Sequence, residues 1–217
     1  MRTKLTLLAL PLLFALALAG DPAADEAILA SIDKGREAAK AGRDQEAIEA
    51  LQKAIGLIQA KGRKSLETFL PTRDATEWEM GEIDSQSGNW GSGETAFTWS
   101  TVQRRYTKKG VEDGPEVNVT ITSWPQMIEG QRAMVQMYKD PAMRAMLAQN
   151  KDGPKMDFIE KDGWSGLITT DTDNCNIVAL HETIMVTVQV NKADADLAKA
   201  FWDAMDTKGL GEATKRK

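Results

Sequence analysis

The spacing of apolar residues changes period near residue 70, and that change decides what the chain can fold into. Before it, apolar positions recur every three to four residues. Residues 22–41 carry Ile28, Ile32, Gly35 and Ala39 on one stripe. From Asp44 a second stripe runs through Ala47, Ile48, Leu51, Ala54, Ile55 and Ile58, the 3.6-residue spacing of an amphipathic helix. Asp21-Pro22 supplies an N-cap and a proline at the first helical position. Gly42 separates the two helices, and Gly62 and Lys64 are expected to end the second. Helices joined by so short a turn form an antiparallel hairpin.

Beyond residue 72 the period falls to two. Val117, Val119, Ile121 and Ser123 alternate with polar residues, and Phe97, Trp99, Thr101 and Gln103 share one face of a strand ending near Tyr106. Trp78, Met80 and Glu82-Ile83 suggest an earlier strand, followed by a glycine- and serine-rich loop over residues 86–93. Further strands are expected at 156–160, 164–170, 176–180 and 184–190. Helices are expected from Pro125, with Met127, Ile128, Met134, Val135 and Met137, then from Asp140 to Leu147, and from about Ala193 with Leu197, Phe201 and Met205. Strands in runs with few helices between them define an α+β fold: a helical hairpin followed by an antiparallel sheet with helices on one face. All 6 tryptophans lie beyond residue 72. The expected organisation is a signal peptide over 1–19, the hairpin over 20–65, the sheet domain over 66–210 with Pro71 as hinge, and a flexible tail over 211–217.

The signal is read from Arg2 and Lys4, an uncharged apolar run over residues 5–18, and the small-residue pattern Ala17-Leu18-Ala19 before Gly20. The run is shorter than the ~20 residues needed to cross a bilayer. Cleavage between Ala19 and Gly20 is therefore expected, giving a periplasmic or secreted protein with no stable membrane span. Losing the two basic residues moves the net charge from −5 to −7, which argues against a nucleic-acid binder. A single cysteine, Cys175, allows no internal disulfide, and a single histidine, His181, allows no multi-histidine metal site.

Gly35, Ala38, Gly42, Ala47, Leu51 and Ala54 stand at the relative spacing of the tetratricopeptide repeat, and the hairpin resembles one such unit of about 34 residues. It departs from the pattern at Lys34, where the repeat has an apolar residue, and at Gln59, where proline often closes it. The resemblance implies an apolar face that neighbouring repeats would cover. No second copy follows, so that face packs within the chain, self-associates or docks a protein partner, with Ala47, Leu51, Ala54 and Ile58 as its residues. The second region resembles PsbP-like and related exported bacterial domains in its strand–helix order, its Leu70-Pro71 entry, its tryptophan strand and its methionine-rich helix. That resemblance brings no functional residue with it.

Motifs for chemistry are fragmentary. His181-Glu182 lacks the second histidine of a zinc protease, because position 185 is methionine. Gly163-Trp164-Ser165-Gly166 is one residue short of a nucleophile elbow. Asp171, Asp173 and Glu182 fit positions one, three and twelve of a calcium loop, but Cys175 and Asn176 fall where an oxygen ligand and glycine are needed, so a polar hairpin turn is expected. Gly88, Gly91 and Gly93 lack the lysine of a phosphate loop. The pairs Met134–Met137 and Met143–Met146 suit either Cu(I) or core packing. No cofactor or metal is expected. The reading is a non-catalytic binding or assembly protein. The alternatives are a small-molecule or lipid carrier, with a pocket between sheet and helix lined by Trp99, Met134 or Met137, and a carboxylate enzyme using Asp162 or Asp171.

Overall fold

The computed structural model describes residues 22–90, 97–147 and 154–214. The expected export signal and its expected Ala19/Gly20 cleavage position lie outside these residues, as do Gly91 and Gly93. Helices α1 (Pro22–Lys40) and α2 (Asp44–Glu67) form the hairpin. Ile28, Ser31, Gly35 and Ala38 are buried on α1, and Ala47, Ala50 and Ala54 on α2. The α1 stripe is rotated from the expected one: Ala39 is exposed, and Ser31 is buried with its hydroxyl donating to the Ala27 carbonyl at 2.8 Å. A Cβ at Gly35 would lie 2.9 Å from Leu51 Cγ, so glycine is what lets the helices approach there. An Asp25–Lys61 ion pair ties the start of α1 to the far part of α2.

Helix α2 continues past Gly62 and Lys64 to Glu67. A glycine inside an exposed helix costs only about 1 kcal/mol. Burial of Leu66 at 2% exposure, alongside Phe69 and Leu70 in the main core, outweighs that at ~1.5–3 kcal/mol per large apolar side chain.

Seven strands follow: β1 (Trp78–Trp90), β2 (Phe97–Lys108), β3 (Glu116–Thr122), β4 (Lys155–Lys161), β5 (Trp164–Asp171), β6 (Asn174–His181) and β7 (Ile184–Asn191). They form one sheet in the order β1-β2-β3-β7-β6-β5-β4, antiparallel throughout. After three strands the chain crosses to the opposite edge through α3 (Pro125–Lys139) and α4 (Pro141–Leu147). It then returns by hairpins to the centre, where β7 pairs with β3. Helices α5 (Ala195–Asp203) and α6 (Thr207–Thr214) close the chain. Residues 211–214, expected in the tail, belong to α6, and Gly211 and Thr214 are buried. Residues 86–90, expected as a loop, extend β1 by pairing with residues 97–101 of β2. They are also held from α2: Gln59 Nε2 donates to Asn89 Oδ1 at 2.7 Å, and Arg63 donates to the Ser87 hydroxyl.

The α+β class and the antiparallel sheet match the sequence pattern, but the helices flank both faces of the sheet. On one face Val102, Tyr106, Val119, Ile177, Val186 and Val188 pack with Leu66, Phe69 and Leu70 and with Phe201, Trp202 and Leu210 of α5 and α6. On the other, Leu167, Leu180 and Met185 pack with Ile128, Val135 and Tyr138 of α3. Strands β5, β6 and β7 carry apolar residues on both sides at that end, so each side needs a cover. Along the rest of the second face the register aligns polar residues in rows: Gln86, Thr101 and Thr122; Asp84, Gln103, Thr120 and Thr187; Arg105, Asn118 and Gln189. Gln103, Arg105 and Gln189 are exposed, and Asn118, Thr120 and Thr187 half-buried.

Candidate binding surfaces

The hairpin stripe expected to carry an interaction is largely its inner seam. Ala47 and Ala54 are buried, Leu51 lies against Gly35, and Ile58 is half-buried. The apolar residues left outward are Leu29 on α1, 61% exposed, and Ile48 on α2, 50% exposed. Ile32 stands three positions after Leu29, and Leu51 and Ile55 stand three and seven after Ile48, so half-buried apolar residues flank the same side of each helix. The C-terminal part of α2 is anchored on β1 and the core through Gln59, Arg63 and Leu66. Between the helices, on another side, a groove of about 430 Å³ has Ala27, Ala30 and Ala50 in its walls and Lys34, Glu46, Glu49 and Lys53 around it.

A cleft of about 300 Å³ lies where the β4–β5 and β6–β7 turns meet α3, lined by Arg132, Gln136, Ser165, His181 and Glu182 among others. Asp162 and Gly163 form the first turn with positive φ at both residues, and Glu182 opens the second at φ 46°. Arg132 is held by Glu129, 3.1 Å from its Nε, and donates from Nη2 to the Glu182 carbonyl at 2.5 Å. His181, the last residue of β6, is half-buried against Trp164 with ring centroids 5.3 Å apart. Its Nδ1 is buried without a hydrogen-bond partner among the described residues. Residues 132 and 182 are fifty positions apart, and no spacing in the sequence links them.

The carboxylates considered for catalysis hold turns together. Asp162 Oδ2 accepts from the Thr207 hydroxyl at 2.7 Å, and Asp171 Oδ1 accepts from the Thr172 amide at 2.8 Å. The segment from Asp171 to Asn174 is a two-residue hairpin turn, since these residues pair across it. Cys175 is 1% exposed, and burial pushes its thiol pKa up, which keeps it a neutral, unreactive thiol. Met134 packs into the core under α3 while Met137 is 45% exposed, so that pair is divided between core and solvent. Among the described residues no three histidine, cysteine, aspartate or glutamate side chains converge on a point where a metal ion could sit, and no helix is long and apolar enough to cross a membrane.

The residues named for a carrier pocket are dispersed. Trp99 lies on the open part of the sheet, where its indole stacks on Trp124 at 5.2 Å with the planes 19° apart. The cleft beside α3 is lined by other residues. The Trp99–Trp124 pair depends on strand register, which apolar periodicity alone does not fix. No family model matches this chain, and no curated protein or solved structure matches it either.

Proposed function

We propose that this is a non-catalytic assembly protein, working outside the cytoplasm after removal of residues 1–19, and that a second copy of the chain docks on the outer side of its helical hairpin. The observation that carries this is the exposure of Leu29 and Ile48 on a hairpin whose inner seam is already filled. A hairpin that resembles a tetratricopeptide unit is ordinarily covered by another such hairpin. The described residues hold one such hairpin, so a second molecule supplies the cover, in a two-fold arrangement where the same surface is used twice. Contact of apolar side chains without a deep pocket suits assembly better than capture of a small ligand.

The test is the mass in solution of residues 20–217. Sedimentation equilibrium should give a dimer, and Ile48→Asp should give a monomer that still melts cooperatively, at a temperature independent of protein concentration. A wild-type protein that sediments as a monomer at tens of micromolar would remove the basis for this assignment.

A further inference from the structure

We infer that the open polar part of the sheet, across β1, β2, β3 and β7, binds an uncharged oligosaccharide or polysaccharide chain. This is independent of the hairpin's role.

The upper end of this face is aromatic. Ser123 N donates to the Ser100 carbonyl at 2.8 Å, so the β2–β3 ladder continues one step past Thr122. The same register carried one residue further sets Trp124 opposite Trp99. Both indoles are half-buried and stack on one another. On the other side, a Cβ at Gly88 would lie 3.0 Å from Trp99 Nε1. The glycine lets the Trp99 indole lie low over β1 with Trp124 stacked on it, which leaves the outer face of the Trp124 indole for a ligand.

Below this aromatic platform the side chains are amide and hydroxyl: exposed Gln103 and Gln189, with half-buried Thr120 and Thr187 between them on neighbouring strands. Rows on one face repeat about every 6.8 Å along a strand, and four strands span ~14 Å. That is room for several sugar units. In these rows the cation, Arg105, is paired with Glu116, and the other charge is the exposed carboxylate of Asp84 on β1. A phosphate backbone would need unpaired cations. A protein or lipid partner would need an apolar centre. A sugar ring offers weakly positive C–H edges to the negative face of an indole. Its hydroxyls both donate and accept, which matches glutamine amides and threonine hydroxyls.

The test uses residues 20–217 titrated with cellohexaose, chitohexaose and maltohexaose, followed by calorimetry and tryptophan fluorescence, with heparin as a polyanion control. At least one hexaose should bind saturably below about 1 mM with a change in fluorescence. Trp124→Ala should weaken that binding at least tenfold. The double variant Gln103→Ala/Gln189→Ala alters only exposed side chains; it should melt as the wild type does and bind several-fold more weakly, which keeps the test decisive if Trp124→Ala fails to fold. No saturable binding of any hexaose, tighter binding of heparin, or binding unaffected in the double variant would each overturn the inference.

Discussion

At the scale of the residue, Tyr106 shows how one buried polar group makes stability depend on pH. It is 0% exposed, packs edge-on against Phe201 with centroids 4.9 Å apart, and its hydroxyl donates to the Pro71 carbonyl at 2.7 Å. Burial pushes its pKa up to about 12, with Arg104 and Arg73 opposing part of the rise. The unfolded chain releases this proton near 10 and the folded chain only near 12. Between those values the folded state binds more protons, so stability falls as pH rises. The contribution is complete below about pH 10 and is lost through about pH 12, and two units correspond to roughly 2–3 kcal/mol. Tyr106→Phe should cost about 1–3 kcal/mol at pH 7, because the Pro71 carbonyl loses its donor. It should also flatten the alkaline fall, leaving the contribution of Cys175, whose thiol pKa burial also raises. Urea unfolding of both proteins from pH 7 to 11.5 checks this; parallel curves would exclude Tyr106 as the titrating group.

At the scale of the element, the hairpin seam and its outer side answer differently to charge. Leu51→Asp places a carboxylate against Gly35 in the seam and should weaken the α1–α2 contact by about 2–4 kcal/mol. Since the sheet has its own core, the loss should appear first as faster amide exchange in α1, with β3 and β7 still protected. Unchanged exchange in α1 would place Leu51 outside the seam. Both helices were legible in the sequence because periodicity alone specifies an amphipathic helix. The end of α2 was not, because Leu66 is held by Phe69, Leu70 and a sheet still to come. Residues 86–90 read as a loop because serine, glycine and asparagine are poor strand formers; pairing with β2 and the bonds from Gln59 and Arg63 override that preference. The candidate surfaces were the least legible part. Trp99 and Trp124 become neighbours only once register is fixed, and Arg132 meets Glu182 only after α3 has crossed the sheet.

At the scale of the molecule, the segment between hairpin and sheet decides whether the two are separable. Pro71, expected as a hinge, is buried and holds the hydroxyl of Tyr106. Leu66, Phe69 and Leu70 sit in the main core with Val102, Tyr106 and Phe201. The residues that fasten the sheet's core therefore come from the end of α2 and the turn after it, while the rest of the hairpin adds mainly the contacts of Gln59 and Arg63 to the β1–β2 extension. A chain beginning at Ser65 keeps all three apolar side chains, and one beginning at Thr72 loses them. At ~1.5–3 kcal/mol each, their loss amounts to roughly 5–9 kcal/mol, comparable to the whole stability of a typical domain at ~5–15 kcal/mol. Residues 65–217 should thus melt in one cooperative transition at a lower temperature than the full chain, and residues 72–217 should show no cooperative transition. Calorimetry on both separates the possibilities. A non-cooperative melt for 65–217 would mean that the hairpin and sheet fold as one unit, and a cooperative melt for 72–217 would mean that the segment at 66–70 is packed on the core without being needed to form it.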